Sequence, residues 1–78
     1  MTIFFNSTIF GEKLRELRKK NQVTQKALAA QIGVSVYSIR GWETGRVEPQ
    51  LHPQTLQQLC QTLHTTPEQL SGNLPTEG

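Results

Sequence analysis

Residues 24–45 read TQKALAAQIGVSVYSIRGWETG, and this stretch decides the fold. Thr24 is an N-cap residue: its hydroxyl can accept an amide proton that the first turn of a helix leaves unpaired. Leu28, Ala29 and Ile32 then fall on one helical face. Gly33 follows where a left-handed residue closes a helix, and Val34 can pack back on the turn just finished. Ser35 caps a second helix and Gly45 stops it. So short a connection cannot lay two long helices antiparallel, but it can cross them steeply. That is a helix-turn-helix.

The second helix of the pair, over residues 35–44, divides into two faces at about 100° per residue. Ile39 and Trp42 point inward, Tyr37, Gly41 and Thr44 outward, and Ser38 and Arg40 lie on the flanks. Trp42 reads as a core residue rather than a base-stacking one, with its indole N–H near the surface.

The stretch resembles the helix-turn-helix of the phage repressor and Cro family (XRE type). Gln25, Leu28, Ala29, Gly33, Val34, Ser35, Ile39, Trp42, Glu43 and Gly45 carry the likeness. With its flanks it spans residues 9–71. The expected fold is therefore all-α, a five-helix bundle of the lambda-repressor-like type with the motif as helices 2 and 3. Residues 1–8 form an N-terminal arm outside it, and residues 72–78 a loose tail.

The flanks agree with that reading. Helix 1 is predicted from about residue 9 to 21, capped by Thr8, with Phe10, Leu14 and Leu17 as its core stripe. Glu16 can pair with Lys20 on its surface. Gly11 weakens a helix by about 1 kcal/mol relative to alanine, so something is expected to pack against it. Pro53 suits the first position of helix 4, and Leu56, Leu59, Cys60 and Leu63 form its apolar stripe. The loop before it is slightly longer than the family's. Thr66, Pro67 and Gln69 read as cap, first residue and capping-box partner of a last short helix that inserts Leu70. In the arm, Ile3, Phe4 and Phe5 favour a strand with nothing obvious to pair with. It reads as a disordered tail, a flap over the core, or an apolar arm meeting another subunit.

Seventy-eight residues suit one domain with a small core, and a helical bundle holds at this size without staples. One cysteine leaves no internal disulfide and no zinc cluster. No secretion signal or membrane span is legible, so the expected location is cytoplasmic, nucleoid-associated when bound to DNA. All eight Lys and Arg lie in residues 1–46, opposed by three of the six glutamates. That half carries +5 and residues 47–78 carry −3, giving the +2 of the chain. Such a split suggests one face that meets a polyanion; the plainer reading is a solvated first helix.

The resemblance implies sequence-specific binding of double-stranded DNA, with helix 3 in the major groove, by a small transcriptional regulator, a repressor. Ser35, Val36, Tyr37, Ser38 and Gly41 match the family's base-facing positions. Thr24, Gln25 and Lys26 match the place where the family clamps the DNA backbone, at a helix N-terminus whose dipole attracts anions. Arg40, on the flank of helix 3, can grip guanine or a phosphate, and Arg46 can reach a phosphate beyond. For Lys26 and Arg46 the bland alternative is ordinary surface charge. Arg18 and Glu43 match an interhelical ion pair of the family. Each lies about 40° off an inward stripe, which would bring them together at the domain's edge. Otherwise Glu43 pairs locally with Arg40 or Arg46. A homodimer is expected, since members of this class dock on half-sites about one helical turn apart. Its surface would come from helices 4–5, their loops or the arm.

His52, His64 and Cys60 lack the spacing of a catalytic or metal site. His64 sits at a helix end, where a histidine commonly interacts with terminal carbonyls, and Cys60 packs as a small hydrophobe. No enzyme, cofactor or metal is expected. The competing function is an antitoxin, which neutralises a toxin partner protein and represses its own operon. A third is an interaction module that kept the fold and lost DNA binding.

Overall fold

A computed structural model describes residues 3–4 and 7–71, with the side chains of residues 8–70. The loose tail expected over 72–78, and Phe5 of the arm, lie outside the described residues. Five helices follow one another: α1 (Ser7–Lys20), α2 (Gln25–Ile32), α3 (Val36–Thr44), α4 (Pro53–Leu63) and α5 (Pro67–Ser71). The first packs on α3 and α5, and the second on α3 and α4.

The caps of the motif follow its sequence. Thr24 Oγ1 accepts from the Ala27 amide at 3.0 Å, and Ser35 Oγ from the Ser38 amide at 3.1 Å. Gly33 closes α2 at φ 76°, and the amides of Gly33 and Val34 both return to the Ala29 carbonyl. A side chain at Gly33 would strain that left-handed turn. Val34 packs against the core beside it.

Phe10 and Leu14 of α1, Leu28 of α2, Ile39 and Trp42 of α3, Leu59 and Leu63 of α4 and Leu70 of α5 are all buried. The Phe10 and Trp42 rings meet edge to face, 5.9 Å between centroids. Such a pair adds to the area it removes from water. Gly11 explains how α1 and α3 come so close: a Cβ there would lie 2.3 Å from the Trp42 carbonyl oxygen. Its lost helix propensity is the cost of that crossing. Asn21 ties the far end, its Nδ2 donating to the carbonyls of Leu17 at 2.7 Å and Leu63 at 2.9 Å.

Several local expectations are corrected. The first helix begins at Ser7, so Thr8 is an exposed helical residue and not its cap. Asn6, Ser7 and Thr8 are consecutive cap formers, and type alone does not choose among them. Lys20 does not serve as the partner of Glu16; Lys13 Nζ lies 3.8 Å from its carboxylate instead, an exposed pair worth little. The arm does find a partner. Ile3–Phe4 (β1) pairs antiparallel with Gln50–Leu51 (β2), with Ile3 opposite Leu51 and Phe4 opposite Gln50. The longer loop supplies that edge, because the backbone leading into Pro53 is extended, and Leu51 drops into the core. At α5 the Gln69 amide bonds Thr66 Oγ1 at 3.3 Å, but the Gln69 side chain accepts from Thr65 Oγ1 instead of closing the box. His64 ends α4 at φ 53° through its backbone N–H, which donates to the carbonyls of Cys60 and Gln61.

Candidate nucleic-acid interface

The interface is built from the back forward. Arg18 reaches from α1 to Glu43 on α3: Nε donates to Oε2 at 2.6 Å and Nη2 to Oε1 at 3.2 Å. This two-pronged geometry suits guanidinium and carboxylate. Nη1 adds a bond to the Val23 carbonyl at 3.1 Å, so α3 is tied to the end of α1 and the turn before α2. The side chains retain only 13% and 4% exposure.

Gln25 continues the chain of bonds to the surface. Its Nε2 donates to Glu43 Oε1 at 3.1 Å, and its Oε1 accepts from Arg40 Nε at 3.3 Å. One neighbour only accepts and the other only donates, so the carboxamide has one sensible orientation. Arg40 is thereby turned so that its guanidinium carbon stands 5.8 Å from the centre of the Tyr37 ring, within cation–π range. Gln25, matched to a phosphate in the sequence, makes these two bonds within the domain, which no local pattern signals.

Tyr37 is 74% exposed and heads the outward stripe of α3. One turn on, Gly41 was expected at the surface as a base-facing position; it is buried. The Val47 amide donates to the Gly41 carbonyl at 3.1 Å, which draws the following loop back over the helix. A Cβ built on Gly41 would sit 2.3 Å from Val47 Cγ2. Thr44 Oγ1 turns back to the Arg40 carbonyl at 2.9 Å.

The remaining positions divide by exposure. Ser35 is exposed, while Val36 and Ser38 are half-buried; Val36 packs against the core and Ser38 Oγ lies 3.1 Å from Ser35 Oγ. Thr24, Lys26, Arg40 and Arg46 are exposed, and Gln25 is half-buried. Among the described residues, Lys26, Arg40 and Arg46 make no ion pair. An open cleft of about 650 Å³ joins Arg15, Arg18, Arg40 and Arg46 with Tyr37, Thr44 and Val47. Arg15 was not singled out in the sequence, although it stands three residues before Arg18 on the same helical face. Since Glu43 neutralises Arg18, the free charge comes from the other three arginines.

Among the described residues no group of three or more His, Cys, Asp or Glu is placed to hold a metal ion. Cys60 is buried in the α4 stripe; burial first and the Glu68 charge second hold its thiol pKa above the usual value. No described helix is long and apolar enough to cross a membrane.

Comparison with known proteins decides the family. The family described as a helix-turn-helix domain matches residues 9–71. The chain belongs to that family. Within it, the chain is 35% identical over 65 residues to the repressor protein C2 of Salmonella phage P22. The match covers 83% of this chain and 29% of that repressor, so the chain spans less than a third of its relative's length. The P22 c2 repressor crystallised with a synthetic operator is similar in structure at a TM-score of 0.71 and 34% identity. That alignment covers 83% of this chain and 96% of that one. The restriction-modification controller protein C.AhdI from Aeromonas hydrophila gives 0.68 at 28% identity, over 81% and 92%.

Proposed function

We propose that this helix-turn-helix domain binds duplex DNA sequence-selectively and serves as a small transcriptional regulator, a repressor. One observation carries the reading: α3 presents its N-terminal end and Tyr37 at the surface, flanked by cations that make no ion pair and fixed from behind by Arg18 and Glu43. The major groove, about 12 Å wide, admits one helix and displays a pattern specific to each base pair. Ser35, Val36, Tyr37 and Ser38 occupy the end of α3 that enters it. Lys26, Arg40 and Arg46 take phosphates, with the N-terminus of α2 adding its dipole. The similarity to a repressor crystallised with an operator supports the same reading. The relatives named are a phage repressor and a controller protein, so the antitoxin reading is not carried forward.

So few base contacts per domain favour two copies on two-fold-related half-sites. Selection from a random duplex pool is expected to return a two-fold symmetric site. Affinity for it should fall with salt at a log–log slope of about −0.9 per neutralised phosphate. Lys26→Ala should flatten the slope and weaken all sequences alike. An affinity indifferent to salt would refute the phosphate assignments.

A further inference from the structure

We propose that Val47, in the loop after α3, is a specificity-determining residue that contacts a thymine methyl group in place of the side chain Gly41 lacks. The assignment rests on the DNA-reading function above. Gly41 lies one turn beyond Tyr37 on the outward stripe, where a helix laid in a groove would otherwise present a side chain to a base edge. Val47 fills that place from another element. Its Cγ2 and Cβ lie 2.3 and 2.8 Å from where a Gly41 Cβ would be, and the bond from its amide to the Gly41 carbonyl pins the loop there. It is not thereby removed from solvent, since 43% of its surface remains exposed.

Charge around it favours DNA as the occupant of that surface. Val47 lines the cleft that Arg15, Arg40 and Arg46 share, and the exposed Tyr37 ring lines it too. Its arginines can hold phosphates while Val47 meets the base pair between them. Within the major groove the apolar group that distinguishes one base from the other three is the C5 methyl of thymine. A valine has no donor or acceptor with which to read any other feature.

The test uses the full chain and the site it selects from a random duplex pool. Replacing single thymines by deoxyuridine deletes one methyl group at a time. At the thymine under Val47 this should weaken wild-type binding about three- to fivefold, the worth of roughly one buried methyl. Val47→Ala should bind the thymine and uracil duplexes equally at that position and keep the wild-type penalties elsewhere. Val47→Thr keeps the shape over Gly41 and guards against a folding artefact; it should unfold at nearly the wild-type temperature yet show a reduced methyl penalty. If both variants retain the wild-type penalty at every thymine, Val47 only covers Gly41 and the assignment is overturned, with DNA reading intact. If the wild type selects no site, the DNA-reading function itself falls, and this assignment with it.

Discussion

Gly11 and Gly41 are both helical glycines, and in each a Cβ would find another atom 2.3 Å away. At Gly11 that atom is the carbonyl oxygen of Trp42, on the side of α3 that packs against α1. At Gly41 it is a methyl of Val47, whose side chain is nearly half exposed. One glycine lets two helices cross; the other lets a loop lie over a helix. The inward face of α3 is met by the backbone of a packed helix, whereas the outward face is covered by a loop side chain that stays partly exposed. This contrast separates what holds the domain together from what is left free to meet a partner.

The largest effect should come from the inward side. Glu43→Leu leaves the Arg18 guanidinium mostly buried without its carboxylate, and about 3 kcal/mol of stability should be lost. Arg18→Met strands Glu43 in the same way. Replacing both should cost clearly less than the two single losses together, because no charge is then left alone. Urea unfolding of the four proteins measures this coupling. Simple additivity would mean that the pair does not anchor α3.

The two glycines give the next effect, and the more direct comparison. Alanine gains about 1 kcal/mol in a helix over glycine. At Gly11 that gain is outweighed, because a backbone oxygen must move and the helix crossing open. A net loss of roughly 2 kcal/mol is expected, in the range of overpacked cores. Gly41→Ala should cost less than that, because Val47 Cγ2 can rotate away and only Val47 Cβ, 2.8 Å off, requires the loop bonded to the Gly41 carbonyl to shift. Its effect should fall on base preference. Equal destabilisation at the two positions would erase the distinction between the faces.

The legible parts of the fold were those where residue type and local geometry coincide. Thr24, Gly33 and Ser35 define caps and a turn by themselves, and the stripes of α1 and α4 follow from periodicity. Arg18 and Glu43 were reached by resemblance supported by helical angle, and the structure joins them. What escaped depended on chain paths that no local rule states. Gly41 was expected at the surface because a helical wheel carries no information about a loop returning over it. For Val47 there was consequently no signal at all. The strand in the arm was recognisable by its β-branched and aromatic residues, but its partner lay in the loop whose path the longer spacing obscured.

The smallest predicted effect decides what Gln25 does. As a phosphate contact it would act on DNA directly; in the structure its carboxamide instead joins Arg40 to Glu43. Gln25→Ala removes both bonds, but Arg18 still satisfies the Glu43 carboxylate and water can reach Arg40. The loss of stability should therefore be about 1 kcal/mol, that of an ordinary hydrogen bond. Duplex affinity separates the two roles. If Gln25 works by holding Arg40, Gln25→Ala should weaken binding in the native background and scarcely at all once Arg40→Ala is present. The cycle should then show at least about 0.5 kcal/mol of coupling. Gln25→Glu sharpens the result. Its carboxylate keeps a partner for Arg40 but faces that of Glu43, so it should unfold more easily than the alanine variant while losing less duplex affinity than general repulsion from phosphates would dictate. Additive affinities in the Gln25 and Arg40 cycle would show that each touches DNA on its own, and the bonds between them would be incidental to binding.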